Sequence, residues 1–109
     1  MILKISDRIR EMREKHEMTQ SDLARRMNVT RSSVNAWEMG ISVPTTEKLV
    51  ELAELFHTTT DYLLGITSAE IVNLENYEYN EKEIIYRLLN YFDSTHENSA
   101  KEISSLPSE

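Results

Sequence analysis

A chain of 109 residues has room for one compact domain plus an appendage, and two glycines and two prolines among abundant helix formers point to an all-α protein. No cysteine is present, which excludes a disulfide framework and a thiolate metal site; no stretch approaches the roughly 20 apolar residues of a membrane span and MILKISDRIREMREK lacks a signal-peptide core, so a soluble, cytoplasmic protein is expected. The net charge of -7 argues against nucleic acid at first sight, yet residues 1–65 hold 9 Lys/Arg against 10 Asp/Glu while residues 66–109 hold 3 against 9, so the acidity belongs to the tail.

Helix-start signals recur along the first part of the chain. Ser6, Thr19, Thr30, Thr46 and Thr58 can each cap a helix, and Asp22 and Asp61 follow Thr19 and Thr58 at capping-box spacing. These signals predict five short helices near residues 7–16, 20–27, 31–38, 46–56 and 59–64. Ile9, Met12, Met18, Leu23, Met27, Val29, Val34, Trp37, Ile41, Leu49, Leu52, Ala53, Phe56, Tyr62, Leu63 and Leu64 supply a common core, to which the methionines in general are assigned, at its centre or its edge. Gly40 and Gly65 read as terminators.

Beyond Gly65 the composition shifts. Residues 66–79 read as an acidic connector holding at most one helical turn. Asn80 with Glu83 then predicts a cap for a helix over about 81–95, with Ile84, Ile85, Leu88, Leu89, Tyr91 and Phe92 on one apolar stripe. The end, NSAKEISSLPSE, reads as frayed. The expected organisation is a domain over 1–65, a connector over 66–79 and a C-terminal helix with its tail over 80–109.

The segment TRSSVNAWE carries the functional signal. At about 100° per residue, Arg31, Asn35, Ser32 and Ala36 share one arc of roughly 140°, with Val34, Trp37 and Ser33 opposite. The apolar pair anchors the helix, and the outward face offers a guanidinium, a hydroxyl, a carboxamide and a methyl, groups that read base edges in a major groove. In the preceding helix Leu23 and Met27 point inward, and Ala24 sits where two helices joined by a tight turn approach closely. Asn28 tolerates the left-handed backbone of that turn, Val29 plugs the core and Thr30 caps the next helix.

TQSDLARRMNVTRSSVNAWEMG, followed by SVP and LVELAELFHTTTDYLLG, resembles the Cro and phage-repressor helix-turn-helix family, often called XRE, over residues 5–65. Asn28 departs from the glycine of many members. The resemblance implies a five-helix lambda-repressor-like DNA-binding domain of bacterial or phage origin, with residues 31–38 as recognition helix and a homodimer on a palindrome. Base contacts are expected from Arg31, Ser32, Asn35 and Ala36. Phosphate contacts are expected from Gln20, for which a base is the alternative, and from Thr30, Ser33, Thr45, Thr46 and Lys48, the last three at a helix N-terminus that can receive an anion. A lone domain reads one half-site, so the apolar stripe of the C-terminal helix is assigned to a twofold dimer; packing of that stripe on its own domain is the alternative.

Simpler roles compete with these. Arg8, Arg10, Arg13, Arg25 and Arg26 are read mainly as balancing nearby acids on solvated faces, and Thr30 as a cap first. His16, His57 and His96 lie far apart, and no phosphate loop or nucleophile with its base is evident, so no enzyme, metal or cofactor is expected. The expected function is a transcriptional repressor binding double-stranded DNA. The rival is a protein-interaction module or antitoxin-like partner, which the net charge favours.

Overall fold

The computed structural model describes residues 5–105, which form helices α1 (Ile5–Lys15), α2 (Gln20–Met27), α3 (Arg31–Glu38), α4 (Thr46–Leu55), α5 (Thr60–Leu63) and α6 (Tyr79–Ser105), with no strand among the described residues. The all-α expectation holds, and the chain divides into two compact units, Met1–Asn73 and Leu74–Glu109.

The first unit is built on α1 to α5. Each helix contributes its apolar stripe to one cluster in which Ile9, Leu23, Val34, Leu52, Phe56 and Leu63 are fully buried, with Trp37, Leu49 and Tyr62 around them. Burial at i, i+3 or i+4 spacing orients short helices that would be marginal alone, since tertiary packing supplies most of their stability. Residues 66–73 are tied to this unit: the Asn73 amide donates to the His57 carbonyl at 2.8 Å, and Lys15 pairs with both Glu11 and Glu70.

Several positions differ from expectation. Ile41 is 77% exposed and Met39 66%, because Gly40 turns the chain at φ +74° and the Ile41 amide closes back onto the Ala36 carbonyl, which leaves both side chains outside. Leu64 is exposed in the same way beside Gly65. The cap of α4 is Thr45 rather than Thr46, and that of α5 is Thr59 rather than Thr58. Runs of adjacent threonines leave cap register open, and the burial of Leu49 and Tyr62 decides it; Thr58 is drawn inside, its hydroxyl unpartnered among the described residues. Ser6 falls inside the first turn of α1.

Arg8 is the larger correction. Its side chain is buried, with the guanidinium 3.8 Å from the Tyr62 ring centroid and, among the described residues, no hydrogen-bond partner for Nε. Stacking on the ring face compensates part of its desolvation. Tyr62 in turn donates its hydroxyl to Glu11 at 2.7 Å, and that bond is the main cause of a Glu11 pKa below the ordinary carboxylate value.

In the second unit α6 starts two residues earlier than the sequence suggests. The Glu78 amide donates to the Glu81 carboxylate at 2.8 Å, so the capping interaction uses this pair and not Asn80 with Glu83. The helix also runs through to Ser105, well past the expected end near 95, while the last part of the segment expected to fray lies outside the described residues. Between Gly65 and α6 the chain makes one hydrogen-bonded turn, Tyr77 amide to Leu74 carbonyl, and no helix.

Candidate nucleic-acid interface

Local sequence sets both ends of α2. The Thr19 hydroxyl accepts from the Asp22 amide at 3.0 Å and the Asp22 carboxylate accepts from the Thr19 amide at 2.9 Å, a complete capping box. The Thr19 amide is the main reason the Asp22 carboxyl titrates below its ordinary value. At the other end Asn28 is left-handed, φ 56° and ψ 44°, and the Val29 amide reaches back to the Ala24 carbonyl. Thr30 then starts α3, accepting from the Ser33 amide at 3.1 Å and sharing a 2.9 Å hydrogen bond with the Ser33 hydroxyl.

This turn sets α3 against α2. Val34 and Trp37 are buried with Leu23, Ala24 and Met27, and Arg31, Ser32 and Asn35 are exposed, with Ala36 half-buried beside them. The division of α3 into an anchoring and an outward face is the one its periodicity predicts. An open recess lined by Arg13, Met18, Thr19, Gln20, Ser21 and Arg31 lies alongside.

Behind the outward face stands an ion pair that charge counting does not reveal. Arg13 of α1 donates from Nε to Glu38 Oε2 at 2.6 Å and from Nη2 to Oε1 at 2.9 Å, while Nη1 donates to the Met18 carbonyl at 2.7 Å. The Glu38 side chain is 3% exposed and that of Arg13 12%, so Arg13 is not a solvated counter-charge but a brace between α1 and α3. The bond to Glu38 raises the Arg13 pKa further. A signal was present: Arg13 follows Ile9, and Glu38 follows Val34, by four residues, so each charge continues a buried stripe. Arg10 and Arg25 do balance acids, with Glu14 and Asp22 respectively.

Gln20 and Asn35, assigned to separate contacts from sequence, are brought together: Gln20 Nε2 donates to Asn35 Oδ1 at 3.2 Å and to Glu38 Oε1 at 3.3 Å. Thr45 and Thr46 are exposed at the start of α4. Lys48 is not free there, since its ammonium donates to the Met27 carbonyl at 2.9 Å and pairs with Glu51, closing the C-terminus of α2. On α6, Ile84, Leu88, Leu89, Tyr91 and Phe92 are exposed and Ile85 half-buried. Among the described residues no metal-ligating cluster forms and no helix is long and apolar enough to cross a membrane.

The model of the helix-turn-helix family matches residues 9–63. The chain belongs to the helix-turn-helix family. Its type is that of Cro and the phage repressors. This helix-turn-helix chain is 37% identical over 60 residues, 55% of its own length and 54% of the relative's, to the Bacillus subtilis (strain 168) protein YobD, an uncharacterized HTH-type transcriptional regulator. It is 32% identical over 63 residues, 58% of its length and 50% of the relative's, to the HTH-type transcriptional regulator ImmR of the same strain. The helix-turn-helix chain spans about half the length of these curated relatives. Among solved structures, the P22 c2 repressor protein in complex with synthetic operator 9T superimposes with a TM-score of 0.54 at 29% identity, covering 57% of this chain and 94% of that one.

Proposed function

We propose that the chain is a sequence-specific DNA-binding transcription regulator, a repressor that occupies a palindromic operator as a homodimer and so excludes polymerase. The observation that carries this reading is the outward face of α3, on which Arg31, Ser32 and Asn35 are exposed while Val34 and Trp37 are buried. Arg31 pairs with a guanine edge, Ser32 and Asn35 donate or accept at neighbouring bases, and Ala36 meets a thymine methyl. Thr30, Ser33, Thr45 and Thr46 contact phosphates and set the register of α3 on the duplex. The bond from Lys48 to Met27 gives that lysine a structural task in place of a phosphate contact. The likeness to YobD, ImmR and the P22 c2 repressor supports the reading.

The second copy meets the first through α6. Ile84, Leu88, Leu89, Tyr91 and Phe92 present an apolar stripe to solvent in the single chain, and a twofold pairing of α6 covers it. Two recognition helices about 34 Å apart then read two half-sites.

Titration of random duplex at low and high salt tests the DNA assignment, because phosphate contacts make affinity fall as salt rises. The expected result is measurable binding that weakens with salt, followed by enrichment of a palindrome in a selection from random sequence. Absence of any duplex binding at low salt would return the chain to the protein-interaction class.

A further inference from the structure

The hydrogen bonds around Gln20 fix which way its carboxamide faces. Glu38, paired through both oxygens with Arg13, is a carboxylate with lone pairs only, so the atom Gln20 turns toward it must be nitrogen. That Nε2 carries two hydrogens; one goes to Glu38 Oε1 and the other to Asn35 Oδ1. Both donors of the Gln20 side chain are therefore spent inside the protein. A phosphate oxygen only accepts, so the Gln20 side chain has nothing to offer it without dismantling this chain of bonds.

The same logic orients Asn35. Its Oδ1 accepts from Gln20, which leaves Nδ2 as its free end, and among the described residues neither Gln20 Oε1 nor Asn35 Nδ2 has a hydrogen-bond partner. One acceptor and one donor are thus left, on two side chains already joined to each other, next to Arg31 on the exposed side of α3. In the major groove adenine offers a donor at N6 beside an acceptor at N7, the complement of this pair; guanine offers two acceptors and thymine an acceptor and a methyl, and both would set an oxygen against Gln20 Oε1.

We infer that Gln20 and Asn35 act together as an adenine reader, Gln20 Oε1 accepting from N6 and Asn35 Nδ2 donating to N7, with Glu38 as the positioning residue that fixes the polarity. The inference rests on the DNA-binding reading above and assigns Gln20 to a base in place of a phosphate.

The test uses the full chain and the duplex enriched by selection. Each adenine of a half-site is replaced in turn by purine, which lacks the N6 amine, and each nearby phosphate by an uncharged methylphosphonate, and Kd is measured for wild type and Gln20→Leu. At one adenine, loss of the amine should weaken wild type about three- to tenfold, the worth of one hydrogen bond, and leave Gln20→Leu unaffected. Gln20→Ala provides the second variant if Gln20→Leu does not fold. The inference is overturned if amine removal weakens both proteins equally at every adenine, or if a methylphosphonate is the change to which the variant alone is indifferent. A wild type that binds no duplex fails earlier and sinks the DNA-binding reading itself.

Discussion

Arg13 and Glu38, 25 positions apart, are joined by two hydrogen bonds that fasten the last turn of α3 to α1. Removing Glu38 leaves the Arg13 charge nearly buried without its paired carboxylate, held only by the Met18 carbonyl and a 3.9 Å approach to Glu14. Glu38→Ala should therefore cost about 3 kcal/mol of stability, seen as a large fall in melting temperature, whereas the double variant Arg13→Met/Glu38→Leu should recover most of the loss. A single variant that melts with wild type would show that the pair braces nothing.

Ala24 is 4% exposed where α2 packs on α3. Ala24→Leu adds three carbons to a filled space and should destabilise by about 1–3 kcal/mol, with weaker DNA binding although no outward residue has changed. An unaltered denaturant midpoint would place Ala24 outside the helix contact.

Among the described residues no acidic side chain pairs with Arg31, which is exposed at the first turn of α3. Arg31→Ala should lose about 1–3 kcal/mol on the selected operator and relax preference at one base pair in each half-site. Equal losses on operator and random duplex would make Arg31 a phosphate contact.

The Tyr62 hydroxyl holds Glu11 below its ordinary pKa, so the bond adds stability that is present above the unfolded carboxylate pKa and is lost as pH falls through the lower folded value. Tyr62→Phe keeps the ring over Arg8 and removes the bond. At neutral pH the variant should be less stable by about 1 kcal/mol, a figure reduced for the partial exposure of Glu11, and the two melting curves should converge as the pH drops below the carboxylate range. A gap that is constant with pH would mean that the loss comes from packing alone.

Leu88 lies in the middle of the exposed stripe on α6. In sedimentation, wild type should run as a dimer and Leu88→Glu should shift toward monomer, because a carboxylate at the centre of an apolar interface leaves a buried charge without a partner. A variant that stays dimeric would put the interface elsewhere.

What the sequence determined by itself is local. Thr19 with Asp22, Asn28 in the turn, Thr30 before Ser33, and the opposition of Val34 and Trp37 to Arg31, Ser32 and Asn35 all act within one or two helical turns, so spacing alone carries them. The tertiary structure decided whatever depends on neighbours distant in the chain. Which of two adjacent threonines caps α4 or α5 follows from the burial of Leu49 and Tyr62, and Met39 and Ile41 are left outside because the turn at Gly40 carries them away from the core. Arg8 and Arg13 look like surface charges until the Tyr62 ring and the Glu38 carboxylate are set beside them. The polarity of Gln20 is the furthest removed from sequence, because an amide presents a donor or an acceptor with equal ease, and only the anion placed against one end of it settles which end faces outward.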